Sequence, residues 1–106
     1  MSELSPIHIA GLLHAGLLVS DLARAKGFYE SVLGLKRIPD RPALPYPGEW
    51  YELGAGQQLH LMNLPNPDAA SVRPAHGGRD HHIALAVSNM DALKSRPHRA
   101  GFSAHP

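Results

Sequence analysis

The chain repeats part of its own sequence. Residues 14–26, HAGLLVSDLARAK, align without gaps with residues 82–94, HIALAVSNMDALK, and five of the thirteen pairs are identical. Unrelated segments of this length share about one identical pair at average residue usage. The repeat therefore predicts that one local structure occurs twice in the chain.

The first copy has the pattern of a strand followed by a helix. In residues 13–19, large aliphatic side chains alternate with a second set that includes His14, which is the period of a β-strand. Asp21 is a suitable N-cap, and apolar residues then recur at three- and four-residue steps through 22–33, which predicts an amphipathic helix. Gly34 follows at the position where a left-handed backbone favours glycine.

Three further strands complete this first unit. They are predicted at 35–38, 49–53 and 57–62, and the first two are separated by a loop rich in Pro and Gly at 40–48. The resulting order, β-α-β-β-β, occupies residues 11–62 and predicts an α+β fold.

The rest of the chain is a connector and the second copy of the repeat. Five Pro and Gly residues in 63–80 favour irregular structure there. Residues 81–106 then form a partial second unit, which opens with a strand predicted at 82–87. All 106 residues are assigned to one domain, because a chain of this length forms a single hydrophobic core.

The composition excludes several classes of function. Ten basic and nine acidic side chains give a net charge of +1, so neither nucleic acid nor an anionic membrane is expected as a partner. The apolar stretch 7–19 is too short to span a bilayer and the start lacks the basic residues of a signal peptide, so a cytoplasmic protein is expected. With eight His and no Cys, any metal must be held by imidazole and carboxylate groups.

Three histidines are candidate metal ligands. His14, His60 and His82 lie in predicted strands on the face opposite the large aliphatic side chains, and His14 and His82 are equivalent in the repeat. Imidazole is the commonest metal ligand, and three from separate strands can meet on a concave sheet. For any one of them, the alternative is a hydrogen-bonded strand histidine. His81 would point to the other face, and loop positions account for His8, His76, His98 and His105.

Aromatic side chains near the third strand leave two interpretations open. Tyr46, Trp50 and Tyr51 could border a substrate pocket, and packing of the strand explains them equally well.

As a set, these segments resemble the vicinal oxygen chelate superfamily, which includes glyoxalases, bleomycin resistance proteins and extradiol dioxygenases. The resemblance covers about residues 11–87 and is specific only as a set. The family's first module opens with a strand that carries a metal histidine and leads into an Asp-Leu helix start, which HAGLLVSDL at 14–22 resembles; the aromatic pair FY at 28–29 and the closing LGL at 33–35 follow. Its fourth strand carries a further ligand, and QLHLM at 58–62 resembles it. HIALAV at 82–87 resembles the first strand of the second module.

The resemblance implies a fold of the glyoxalase type, with two βαβββ modules paired around a cleft and metal ligands on the first and fourth strands of each. It also implies a divalent ion (Zn, Ni, Mn, Fe or Co) that binds adjacent oxygens of a small substrate and acts as a Lewis acid. The activity would be that of a metal-dependent lyase, similar to lactoylglutathione lyase, or of an extradiol dioxygenase. The alternatives are a non-catalytic module that sequesters a small molecule, as bleomycin resistance relatives do, and an inactive truncated relative.

The second module departs from this pattern. The chain ends at Pro106 before its last three strands and its fourth ligand, and Pro97 interrupts the expected second helix. Another chain supplies these parts, or the chain is a fragment, or the activity is lost. An incomplete sheet leaves unpaired backbone groups at its edge, so we expect a homodimer in which exchange of residues 82–87 can bring in a ligand from the partner.

Overall fold

A computed structural model describes residues 5–67 and 74–96 of the chain. The elements of the first unit are listed in chain order: strand β1 (His14–Leu18), helix α1 (Leu22–Lys26), a π-helical continuation (Gly27–Val32), strand β2 (Lys36–Arg37), strand β3 (Gly48–Gly54) and strand β4 (Gln57–Met62). A 3₁₀ turn (Gly77–Arg79) and helix α2 (Met90–Lys94) follow. Within these ranges no helix has both the length and the apolar character needed to cross a membrane.

The four strands form one mixed sheet in the order β1-β4-β3-β2. Strand β1 pairs in parallel with β4, and the other two pairings are antiparallel. The parallel pairing requires a crossover between β1 and the rest of the sheet, and α1 provides it on one face. The predicted β-α-β-β-β order and the α+β fold class are confirmed.

The ends of the first helix follow from local chemistry. The Oδ1 atom of Asp21 accepts a hydrogen bond of 3.0 Å from the amide of Arg24, so Asp21 is the N-cap. The predicted helix is present, but its second half has π-helical hydrogen bonds, such as Leu33 N to Phe28 O at 3.0 Å. Gly34 then has a φ of +71°, the left-handed conformation expected at the C′ position.

The hydrophobic core lies between the sheet and this helix. Its fully buried side chains are Tyr51, Leu59 and Leu61, from β3 and β4. The partly buried side chains that pack on them come from β1, from the helical segment and from the strands beside it: Ala15, Leu17, Val19, Leu22, Ala25, Tyr29, Leu35 and Leu53. Because strand side chains alternate, the neighbouring residues Trp50 and His60 lie on the opposite face, away from helix α1, and none of the helices in the described residues is assigned to that face.

The second copy of the repeat forms its helix but not its strand. Asn89 caps α2, and its Oδ1 accepts a hydrogen bond of 2.9 Å from the amide of Ala92, with the same spacing as at Asp21. The strand predicted at 82–87 is wrong, because these residues have no regular secondary structure and are exposed. A strand needs a neighbour to pair with, and residues 82–87 belong to no sheet pairing in the described chain. Residues 97–106 of the predicted partial module, including Pro97, lie outside the described residues.

Candidate metal and ligand site

The uncovered face of the sheet carries a stack of three aromatic rings, one from each of β1, β4 and β3. The imidazoles of His14 and His60 stack with ring centroids 4.1 Å apart and an interplanar angle of 14°. The indole of Trp50 stacks on the other side of His60, with centroids 3.9 Å apart and planes 1° apart. The structure thus brings together two of the three predicted site histidines.

Glycine in β1 makes room for this stack. Gly16 is the direct neighbour of His60 in the parallel pairing, so no side chain of β1 stands between His14 and His60. The methyl carbon of Met62 lies 3.1 Å from the position that a Cβ atom on Gly16 would take, so Met62 fills the space over the glycine. A larger residue at position 16 would displace Met62.

His60 is held in an environment that favours the neutral imidazole. The residue is 8% exposed, and its Nε2 lies 2.8 Å from Oε1 of Gln58, an acceptor that assigns the hydrogen to Nε2. Burial lowers the pKa of His60, and the positive charges of His14 and Arg41 lower it further. Neutral imidazole with a free Nδ1 lone pair is the form that binds a metal.

His82 is placed away from this stack. It is exposed, and its Nδ1 lies 2.8 Å from the carbonyl oxygen of Asp80. The residues that follow it, 84–87, line a groove with Leu35 and Leu53, which pack on the core from the helix face. In residues 5–67 and 74–96 no group of three or more His, Asp or Glu side chains is arranged to hold a metal ion. A site formed by all three histidines stays a prediction.

A loop residue that the sequence did not single out borders the same face. Arg41 donates a hydrogen bond of 2.9 Å from Nη2 to the carbonyl oxygen of Tyr46, and its guanidinium carbon lies 5.6 Å from the centre of the Tyr46 ring. Nη2 also lies 3.0 Å from where a Cβ atom on Gly48 would be, so the guanidinium group covers the start of β3. No periodicity marks Arg41, because it lies in the irregular loop before β3.

Of the three aromatic residues left open by the sequence, Trp50 is part of the ring stack, whereas Tyr51 packs in the core. The hydroxyl of Tyr51 donates a hydrogen bond of 2.7 Å to Oε2 of Glu30. Burial raises the pKa of Tyr51, and the hydrogen bond to Glu30 raises it further. Side chains along β3 point alternately to the two faces of the sheet, so Trp50 lies at the ring stack and Tyr51 lies in the core.

The buried acid of this region does not belong to the ring stack. Glu49 is 5% exposed, and its Oε2 pairs with Nε of Arg37 at 3.0 Å and with Nζ of Lys26 at 3.4 Å. Lys26 is in the first helix, so Glu49 lies on the helix face of β3. Its charge is balanced by two cations, so it is unsuited to serve as the fourth metal ligand that the resemblance implies.

Comparison with known families decides the broader classification. The model of the Glyoxalase/Bleomycin resistance protein/Dioxygenase superfamily matches residues 11–103. The chain belongs to this superfamily. The resemblance inferred from the sequence is confirmed, and the matched range includes the β-α-β-β-β unit and the second copy of the repeat.

Individual relatives are more distant. The chain is 27% identical to "Glyoxylase I 4" of Arabidopsis thaliana over 98 residues, which are 92% of this chain and 56% of that protein. It is 29% identical to mitochondrial methylmalonyl-CoA epimerase of Homo sapiens over 90 residues, 80% of this chain and 51% of the epimerase. The chain therefore spans about half the length of these relatives.

The fold is also found among solved structures. A glyoxalase family protein from Bacillus anthracis superimposes with a TM-score of 0.50 at 23% identity, over 58% of this chain and 52% of that one. This similarity supports the glyoxalase-type fold, and at this level of identity it identifies no substrate.

Proposed function

We propose that the chain uses His14 and His60 to hold a divalent metal ion, which binds a small molecule through two adjacent oxygen atoms. The observation that supports this proposal is the contact between the two imidazoles, on adjacent strands and on the sheet face opposite helix α1. Superfamily membership supports the same class of chemistry.

The donor groups fit a divalent ion of the zinc type. Neutral imidazole nitrogen is a preferred donor for such ions, and His60 is kept neutral by its surroundings. The hydrogen bond between Gln58 and His60 fixes the orientation of the His60 ring, as hydrogen-bond partners of metal-binding histidines do. In the stack the two ring planes are nearly parallel, so joint ligation needs the His14 ring to turn. His14 is exposed, and its rotation displaces no core side chain.

A third donor completes the proposed site. We propose that His82 supplies it once residues 82–87 pair with a sheet, either in a second copy of the chain or within a rearranged monomer. Strand β1 is at the edge of the sheet and offers unpaired backbone groups. The exposed side chains of Ile83, Leu85 and Val87 would lose solvent contact in such a pairing.

Each residue of the site has a role in this proposal. His60 is the fixed ligand, because it is buried and hydrogen-bonded, and His14 is the adjustable one. Trp50 shields His60 from water on one side and gives the bound molecule an apolar wall. A divalent ion held there would supply Lewis-acid polarisation of the adjacent oxygens.

Metal titration tests the proposal. We expect the chain to bind Co²⁺ or Zn²⁺ stoichiometrically, and His60→Ala to weaken binding by at least about tenfold, or about 1.4 kcal/mol. His81→Ala is the matched control, because His81 is an exposed neighbour of His82 outside the ring stack. Trp50 is the sole tryptophan and stacks on His60, so its fluorescence reports binding. Absence of stoichiometric binding by the unmodified chain, or equal affinity in the His60 variant, would contradict the proposal.

The same titration examines the third donor. Sedimentation with and without Zn²⁺ measures the mass in solution, and we expect the metal to favour a dimer. His82→Ala should then weaken both metal binding and dimer formation. If this variant changes neither, His82 is not a ligand.

A second candidate function is sequestration of a small molecule without catalysis. The aromatic side chains of His14 and Trp50 favour it, because aromatic rings can pack on an apolar or planar ligand without a metal. Ligand binding that survives chelation of all metal, with no product formed, would favour this candidate over the first.

A further inference from the structure

We propose that Arg41 binds a carboxylate group of the ligand, next to the histidine pair. The ligand would then be an organic acid whose carboxylate lies a few bonds from a pair of adjacent oxygen atoms. This inference relies on the proposed function for the identity of the ligand-binding face.

The first observation is an unsatisfied donor. The Nε atom of Arg41 is buried and has no hydrogen-bond partner among the described residues. A buried polar atom is normally paired, because an unpaired donor loses its hydrogen bonds to water without replacement. The hydrogen bonds and ion pairs of the described chain give Arg41 the carbonyl oxygen of Tyr46 as its acceptor and give it no carboxylate.

The second observation is the position of the guanidinium group. Its Nη2 lies 3.0 Å from the position that a Cβ atom on Gly48 would take, at the start of β3, and Trp50 is two residues further along the same strand. Two residues along a strand cover about 7 Å, so Arg41 and the ring stack lie within reach of one small molecule. The lowered pKa of His60, to which the charge of Arg41 contributes, agrees with this proximity.

The third observation is that the guanidinium group is held in place. One end is fixed by Tyr46, through both the carbonyl oxygen and the ring. A planar guanidinium group held in this way matches the planar geometry of a carboxylate.

The test combines two ligands with two variants of the full chain. Glutarate is a plain dicarboxylate, and 2-oxoglutarate adds an oxo group next to one carboxylate. Each is titrated into the chain, with Zn²⁺ or with a chelator. Binding is followed by the fluorescence of Trp50 and by the NMR signal of the Arg41 Nε–H group.

We expect glutarate to bind with or without metal and to shift the Arg41 Nε–H signal. Arg41→Gln should weaken the binding of both acids by about tenfold or more, because a charge-assisted hydrogen bond is lost. The affinity of Arg41→Lys for both acids should lie between those of the unmodified chain and Arg41→Gln, since lysine keeps the charge and loses the planar guanidinium geometry. Arg79→Gln is the control, because Arg79 is an exposed arginine in the 3₁₀ turn, and it should match the unmodified chain.

Two comparisons separate the inference from the function on which it relies. If Zn²⁺ strengthens the binding of 2-oxoglutarate but not that of glutarate, the metal function is supported, independently of the result for the Arg41 variants. If Arg41→Gln binds glutarate within about twofold of the unmodified chain, or glutarate does not bind at all, the carboxylate site is refuted. Tighter binding of inorganic phosphate than of glutarate, dependent on Arg41, would also refute it. Thermal unfolding of both variants establishes that they fold.

Discussion

Residues 14–26 and 82–94 have similar sequences, yet they lie in different surroundings. In the first copy, β1 pairs with β4 and its aliphatic side chains pack on the core. In the second copy, residues 82–87 are irregular and exposed. The helices that follow begin alike, with a side-chain cap at Asp21 and at Asn89. Local interactions form in both copies, whereas the strand forms only where another strand pairs with it.

The largest expected difference between the copies concerns burial. Leu59→Ala should lower the free energy of unfolding by about 2–5 kcal/mol, because Leu59 lies in β4, in the middle of the sheet, and its side chain is fully buried in the core. Leu85 is 42% exposed, and Leu85→Ala should change the free energy by no more than about 0.5 kcal/mol. Urea unfolding followed by Trp50 fluorescence measures both. Equal losses would mean that the second copy is packed in solution.

A smaller effect is expected from the hydrogen bond inside the first unit. Tyr51→Phe removes the donor to Glu30 and should cost about 1–3 kcal/mol at neutral pH. Tyr46→Phe is the control, because it keeps the ring that contacts Arg41. A loss in the control as large as that in Tyr51→Phe would contradict the assignment.

The same pair of variants gives a pH dependence. The pKa of Tyr51 is raised in the folded chain, mainly by burial, so below pH 10 the residue is protonated in both the folded and unfolded states. As the pH rises above 10, the unfolded state ionises first and stability falls. Unfolding curves between neutral and alkaline pH should show a smaller fall for Tyr51→Phe than for Tyr46→Phe.

The smallest effects concern the caps, where the two copies are alike. Asp21→Ala should destabilise the whole fold by about 1 kcal/mol, because its helix packs on the core. Asn89→Ala should increase amide exchange in α2 and leave global unfolding unchanged, because α2 has no buried residues. Urea unfolding measures the global loss of stability, and hydrogen exchange measures the local opening of α2. A global loss in the Asn89 variant would show that α2 is coupled to the core.

Much of the fold could be predicted from the sequence, because its signals are local. The period of residues 13–19, the cap at Asp21 and the glycine at 34 each reflect short-range preferences that the core reinforces. The π-helical hydrogen bonds of Gly27–Val32 could not be predicted, since they change no side-chain pattern over a single turn. The absent strand at 82–87 could not be predicted either, because the sequence pattern does not indicate whether a partner strand is present.

For the site, the sequence identified His14 and His60 by their face, which follows from alternation. It did not indicate that they would stack with each other and with Trp50, since that depends on the register between β1, β4 and β3. Arg41 was missed because the conformation of the loop before β3 depends on tertiary contacts with Tyr46 and Gly48.

The parallel pairing of β1 with β4 also constrains the order of events during synthesis. The sheet joins its first strand to its fourth, so we expect β1 to pair only after residue 62 has been synthesised. The β3–β4 hairpin needs only local contacts across Ala55 and Gly56, so we expect it to form first and β1 to dock against it as α1 closes over the core. Until then the aliphatic face of β1 would stay exposed to solvent, and the second copy of the repeat, made later still, could not cover it.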